Sequence, residues 1–508
     1  MKPRVTLYAV MAALAAAGCT SMPTDLGQQE VNAMTAERGR TLPDQSASSL
    51  IEKLSQEPLN RDSAVALALA NNPELALRYA ELGLGAAEVY AAGRIRNPVL
   101  AAELLHPNRS GEDNALAIDL VGSLTDLLTL GARKRLAAAE FAVLQAEVGA
   151  RVLATAVAAE KAYVDYVATR QRTLMQEQIT KAADLSLQLA QRYYDAGNLP
   201  PRQYAMAQGA AAAQRLHSLE AQATESQARN ELAGVLGIAA DKPWGVPGHL
   251  PEPGSQTDAL ADLQLLASQS RLDLKAAKAR IKIAEDHAGI TRRTRWWEEL
   301  DAGVVYERET DGGELIGPTV EWELPLFSQG QDAQLRSLVE VQQAVIAYRK
   351  LSVDVGNQVQ LAHAAMANAK ARAQTYQQLL IPARMAATQR AQEEENFMLI
   401  GTFELIEVKQ DEYAAYAGYL DALRDYWLAH TDLRYAVGNS LPSSTGSEGK
   451  QIHAESLIQP PAHSGHGQHG APQTQTPAPE QHHHQHPKPP QKHREHQHHD
   501  HGRSHQEH

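Results

Sequence analysis

Apolar residues follow two rhythms along this chain, and each rhythm occurs twice. Leu100, Ala102 and Leu104 alternate with Val99, Ala101 and Glu103, and Leu116, Ile118 and Leu120 alternate with Ala115, Ala117 and Asp119. About two hundred residues later, Ala302, Val304 and Tyr306 alternate with Gly303, Val305 and Glu307, and Val320, Trp322 and Leu324 with Thr319, Glu321 and Glu323. This period of two predicts four strands, joined in pairs through polar tips at 107–114 and 310–314. After each pair the pattern turns helical for a very long stretch. No proline occurs from 132 to 199, and Gly149 is the only glycine there before the turn at Gly197. About 65 helical residues extend nearly 100 Å. Leu153, Val157, Val164, Val167 and Leu174 keep heptad-like spacing, with Glu160 and Gln171 on the same seam. The second such stretch, 331–400, contains Pro382, which predicts a kink because proline removes a hydrogen bond and clashes with the preceding turn.

The rhythms repeat because the chain does. An offset of about 199 brings Leu75 onto Leu274, Ala80 onto Ala279 and Gly131 onto Gly330. At the far end Tyr193-Tyr194-Asp195-Ala196-Gly197 meets Phe397-Met398-Leu399-Ile400-Gly401, an offset of about 204. Each unit reads as helix, two strands, very long helix, glycine turn and returning helix. The resulting plan is a signal peptide over 1–18, a linker over 19–60, a first repeat over 61–240, a linker over 241–256, a second repeat over 257–438 and a disordered His-rich tail over 439–508. The fold class is mainly α with a small β part.

Four strands cannot close on themselves, and an open sheet leaves backbone groups unpaired in lipid. Three copies bring twelve strands, an even number that suits an outer-membrane barrel. Only 5% of residues are aromatic, and the apolar content is rich in Ala and Leu, which suits closely packed long helices. A net charge of −13 argues against nucleic acid as a partner.

The N-terminus reads as an export signal. Lys2 and Arg4 precede an apolar stretch at 7–14, too short to span a bilayer, and small residues then lead to Cys19, the only cysteine. This resembles a bacterial lipoprotein signal, although Ala16 stands where Leu is commoner. The resemblance implies lipidation of Cys19, and Thr20 after it implies sorting to the outer membrane. The plainer alternative is a cleaved signal with an incidental cysteine.

Several segments together resemble the outer-membrane efflux family of which TolC is the type. Ala68-Leu69-Ala70-Asn71-Asn72-Pro73-Glu74-Leu75 resembles its opening motif, and Asn97-Pro98-Val99-Leu100 the approach to its first strand. Leu324-Pro325-Leu326-Phe327-Ser328-Gln329-Gly330 is similar to the motif before its second long helix, and Gly401-Thr402-Phe403-Glu404-Leu405-Ile406-Glu407-Val408 to its periplasmic turn. The first repeat departs at Asp126, where proline is expected, and keeps Gly131. The resemblance spans about residues 60–438. It implies a homotrimer with a shared 12-stranded transmembrane barrel and an α-helical periplasmic tunnel. It also implies a periplasmic adaptor, an inner-membrane pump of the resistance-nodulation-division type, and a passive conduit rather than an enzyme. No Walker-type loop, nucleophile elbow or His-Glu-x-x-His occurs, and no cofactor is required.

The candidate site residues follow. Glu393, Glu394 and Glu395 lie about two turns before Gly401, where in a trimer they form an acidic, cation-attracting aperture, or else a solvated helix face. Tyr194 and Asp195 flank the first turn, as gating contacts or as ordinary hairpin packing. Trp322 is placed in an interfacial aromatic belt, while Trp296 and Trp297 fit either the belt or a helix-to-strand junction. The tail carries His482, His483, His484, His486, His493, His496, His498, His499, His501, His505 and His508. Such imidazoles suit Cu or Zn, and the alternative is a solvated tail of biased composition. The leading expectation is therefore an outer-membrane export channel, with the tail tilting the cargo toward heavy-metal cations (Cu/Ag or Zn/Co/Ni). The alternatives are a drug or protein export channel of the same fold, or a non-pore periplasmic metal-binding coiled-coil lipoprotein.

Overall fold

The computed structural model describes residues 25–442, apart from 44, 55–56, 109–112, 242, 248, 255–257 and 298. Helices α1 (Gln28–Ala36) and α2 (Ala47–Lys53) open the described chain. The first repeat follows as α3 (Arg61–Asn71), α4 (Pro73–Ala92), β1 (Val99–Leu105), β2 (Ala115–Ser123), α5 (Leu124–Asp195) and α6 (Pro201–Leu236). The second is α7 (Leu260–Ser270), α8 (Leu272–Thr294), β3 (Leu300–Arg308), β4 (Glu314–Trp322), α9 (Gln331–Thr375), a π turn (Tyr376–Leu380), α10 (Ile381–Asn396) and α11 (Thr402–Val437).

Local chemistry sets the boundaries. The Asn60 side chain accepts from the Ser63 amide at 2.8 Å while Ser63 Oγ accepts from the Asn60 amide at 2.9 Å, a reciprocal cap on α3. Asn72 caps α4 at the Leu75 amide, and Pro73 takes the first helical position, where its missing N–H costs nothing. The same Asn-Asn pair binds the end of α6. Asn71 Nδ2 donates to the Leu236 and Gly237 carbonyls, and Asn72 Nδ2 to that of Val235 at 2.9 Å. In the second repeat Arg271 donates to the Ala436 carbonyl at 3.1 Å, the same tie made by a different side chain.

The duplication has two offsets. Helix caps Asn72 and Arg271 lie 199 positions apart, while Gly237 and Gly438, both left-handed residues after the last helix of a repeat, lie 201 apart. The two additional residues fall within the stretch that contains the π turn, which takes in extra residues without breaking the helix. The offset of 204 expected at the hairpin ends is thus corrected to 201. Pro382 ends nothing either. The carbonyl it would strike, that of Gln378, lies inside the widened π turn, and the helix resumes through it.

The long helix α5 runs 72 residues. Its seam is polar where the other elements supply partners. Glu160 is buried and receives Arg40 from the N-terminal segment and Arg434 from α11. Burial pushes the Glu160 carboxyl up, against the downward pull of Arg40 and Arg61. The largest core cluster surrounds this level and includes Val31 and Met34 of α1, Leu67 of α3, Val152 and Tyr166 of α5, Leu232 of α6, and Trp244, Val246 and Leu250. Two stretches read from sequence as linkers therefore pack as core. Leu441 is also buried, so the packed body extends past 438.

Candidate functional site

The four strands form one antiparallel sheet in the order β1-β2-β3-β4, with Leu104 opposite Leu116, Leu120 opposite Val304 and Val304 opposite Pro318. Register fixes the faces, because side chains alternate. One face carries Leu100, Leu104, Ile118, Leu120, Val304, Ile316, Val320 and Trp322. The other carries Glu103, Asp119, Asp301, Glu307 and Glu321, with Glu103 and Glu307 flanking Ala117 and Asp301 opposite Glu321. No Lys or Arg stands on this acidic face within the paired strands. β1 and β4 are both edges, and the apolar face is uncovered: Leu100 is 67% exposed and Ile316 77%.

The expected aromatic positions divide. Trp322 is on the apolar face and its indole donates to the Trp296 carbonyl at 3.1 Å. Trp296 is exposed at the foot of the sheet. Trp297 is half-buried, its carbonyl accepting from Thr125 Oγ1 at 2.9 Å, so it packs at the helix-to-strand junction. Asp126, the departure from the family pattern, is buried and paired with Arg96 and Arg133. The hydrogen bond from Arg96 leads in holding its carboxyl below the usual range.

At the opposite end of the long helices, the two hairpin tips share one geometry. The Asn198 amide reaches the Tyr193 carbonyl at 2.8 Å and the Gly197 amide that of Tyr194 at 2.9 Å. In the second tip the Leu399 amide reaches Glu394 and the Met398 amide reaches Glu395, both at 2.8 Å. These are Schellman caps. Gly401, matched to Gly197 from sequence, is instead the extended residue before α11, and Met398 takes the left-handed position.

The structure puts Tyr194 and Asp195 in the first tip and Glu393, Glu394 and Glu395 in the last turn of α10. Tyr194 stacks on Tyr204 with centroids 4.7 Å apart, and Asp195 accepts from Gln191 at 2.7 Å. Glu393 pairs with Arg390 at 3.0 Å, and Glu395 accepts from Thr402 Oγ1 at 3.0 Å, which ties the turn. Glu394 is exposed and makes no ion pair among the described residues. Sequence reading missed the apolar tip itself, Phe397, Met398 and Leu399, each more than 70% exposed. The signal lay in four consecutive apolar residues at a turn. Cys19 and the histidines from His482 to His508 lie outside the described residues. Among the described residues no group of three or more His, Cys, Asp or Glu is placed to hold a metal.

No family model matches the chain, and no curated protein matches it by sequence. Solved structures do match. The Campylobacter jejuni CmeC outer membrane channel aligns with a TM-score of 0.64 at 14% identity, covering 82% of this chain and 93% of that one. The outer membrane protein VceC from Vibrio cholerae aligns at 0.60 and 18% identity, covering 75% and 96%. The open state of the Neisseria gonorrhoeae MtrE outer membrane channel aligns at 0.58 and 17% identity, covering 76% and 91%. The chain has the fold of the TolC-type outer-membrane channels.

Proposed function

We propose that this protein is the outer-membrane channel subunit of an efflux assembly, a passive conduit built from three copies. The observation that carries this reading is the open, two-faced sheet. A protomer alone leaves two unpaired edges and an uncovered apolar face, an arrangement that neither water nor lipid tolerates. Three copies joined edge to edge close twelve strands, turn the apolar face to lipid and enclose the acidic face around a pore. A non-pore coiled coil has no use for such a sheet. The long helices continue the pore into the periplasm. The bare apolar tip at Phe397 to Leu399 offers a docking surface to a periplasmic adaptor that links the channel to an inner-membrane pump. Glu394, whose carboxylate makes no ion pair among the described residues, is the candidate aperture carboxylate. Bilayer conductance of the purified full-length protein tests the reading: a trimer with discrete channels is expected, and a monomer without conductance would refute it.

The cargo we favour is heavy-metal cations, supported by the acidic face and by the histidine composition of the tail. Cutting after Pro442 spares Leu441 and removes the tail. Calorimetry with Cu or Zn on the full-length and shortened proteins should show metal binding only in the former. Equal binding would withdraw the metal preference and favour drug or protein export through the same fold.

A further inference from the structure

The repeats diverge at one pair of positions where the duplication supplies its own control. Arg96 and Arg295 are 199 positions apart, and so are Asp126 and Pro325. In the first repeat Arg96 is spent on Asp126, which also draws Arg133 to 3.7 Å. In the second repeat the sequence-equivalent position is Pro325, in the segment between β4 and α9. Arg295 makes no ion pair among the described residues. Among the described residues its guanidinium makes one hydrogen bond, from Nη1 to Gln334 Oε1 at 3.4 Å, and lies over the Trp296 ring with its carbon 5.1 Å from the centroid.

Arg295 lines a cavity of about 380 Å³ between α8 and α9. Arg336, exposed and without an ion pair among the described residues, lines it too, with the hydroxyls of Thr291, Thr294 and Ser337. Two acids share the wall: Glu340, 3.7 Å from His287 Nδ1, and Asp332 at the start of α9. The cavity sits where the sheet gives way to helices: Arg295 on its wall adjoins Trp296, whose carbonyl accepts from the Trp322 indole at 3.1 Å. If the sheet spans the bilayer, this level is the periplasmic headgroup layer, where Trp collects and arginine reaches phosphate.

We infer that this cavity is a binding site for the phosphodiester group of an acidic phospholipid in the periplasmic leaflet, held by Arg295 and Arg336. The inference rests on the outer-membrane reading above. The guanidinium fork matches two phosphate oxygens at once, and the Thr291 hydroxyl can donate to a third, while those of Thr294 and Ser337 already donate to the Ile290 and Gln334 carbonyls. The first repeat has no equivalent site because Asp126 already fills the role of the anion. One repeat thus satisfies its arginine internally, and the other leaves it for a lipid.

Thermal unfolding of the full-length trimer in nonionic detergent, titrated with phosphatidylglycerol, phosphatidylcholine or inorganic phosphate, tests this. Phosphatidylglycerol alone should raise the midpoint. Each arginine beside an anionic surface is worth about fivefold in affinity, so Arg295→Gln with Arg336→Gln should weaken the half-saturating concentration about 25-fold. Ala333→Asp places a further acid on the cavity wall, and should weaken the response without removing an arginine. Arg96→Gln should lower the starting midpoint and keep the lipid response. An unchanged phosphatidylglycerol response in both the double variant and Ala333→Asp overturns the site. An equal response to inorganic phosphate also overturns it, because the ligand would then be a free anion. Conductance of the same preparations reports separately: a conducting trimer with no lipid response refutes this inference and leaves the channel reading standing.

Discussion

Gly197 and Met398 occupy the same position in the two hairpins, 201 residues apart, each the left-handed residue that closes a long helix, with φ of 73° and 57°. Glycine holds that conformation at no steric cost, whereas a residue with a Cβ pays about 1–2 kcal/mol. The second tip therefore carries strain that the first does not, at the residue that is also its most exposed apolar side chain. Met398→Gly should relieve about 1 kcal/mol and slow hydrogen exchange at the Leu399 amide by about fivefold, whereas Gly197→Ala should speed exchange at Asn198. Unchanged exchange in both variants would show that the caps do not control fraying. If the tip docks a partner through Phe397, Met398 and Leu399, the glycine variant should gain stability while losing adaptor affinity.

His430 supplies a pH handle far from the sheet. Burial pushes its imidazole down to about 4, with Arg61 adding to the shift and Asp258 opposing it, and the Tyr426 and Trp427 rings pack against it. The folded value lies below the unfolded one of about 6.5, so the folded state favours the neutral ring. Its contribution is complete above about pH 6.5 and is lost as pH falls from there to about 4, roughly 3 kcal/mol over the window. His430→Phe keeps the ring packing and cannot protonate. Calorimetry of both proteins from pH 8 to 4 should show the wild type losing more stability in acid; parallel curves would contradict the assignment.

Much of this fold was readable because it rests on short-range rules. Strands betray themselves by alternation, and α5 by a run without proline. What was missed depends on distant partners. Residues 28–36 offer only Val31, Ala33, Met34 and Ala36 as apolar side chains, too few to mark a core helix, yet α5 buries Val31 completely. Leu441 looked like the start of a tail because its contacts come from helices far back in the chain. Asp126 looked like a lapse from the family pattern, and only the fold brings Arg96 to it. Of the site, the strand faces were visible as Glu and Asp alternating with Leu and Val. The second tip was misplaced by three residues because glycine was expected where methionine stands.

The faces of the sheet can be separated by charge. Arginine at Val304, midway along β3 on the apolar face, should cost about 2–4 kcal/mol near the middle of a bilayer and should block assembly in the membrane. Arginine at Val305, one residue away on the acidic face, should leave the trimer intact and lower cation selectivity at low salt. The selectivity change should fade near physiological salt, where the screening length is about 8 Å. Equal tolerance of the two substitutions would mean that neither face meets lipid.

The proposed anchor at Cys19 has a limit of reach. Gly27 lies against Phe141 so closely that a Cβ there would fall 2.6 Å from the ring, and Gln145 Nε2 donates to its carbonyl at 3.4 Å. Phe141 is 17 residues beyond Leu124, where the sheet becomes helix, or about 26 Å along α5 at about 1.5 Å per residue. Cys19 precedes Gly27 by eight residues, which at full extension cover at most about 26–29 Å. Acyl chains on Cys19 can enter the bilayer at the foot of the sheet only if this spacer has almost no slack. Deleting residues 22 and 23 removes about 7 Å of reach and leaves the lipoprotein signal untouched. The shortened protein should still incorporate palmitate, but either its anchor or α1 must give way, so amides at Val31, Met34 and Thr35 should lose protection from exchange. Cys19→Ser should abolish labelling and, by releasing the tether, restore that protection in the deletion background. Wild-type protection in a labelled deletion variant would show that the lipid enters elsewhere, and labelling that survives Cys19→Ser would remove the anchor itself.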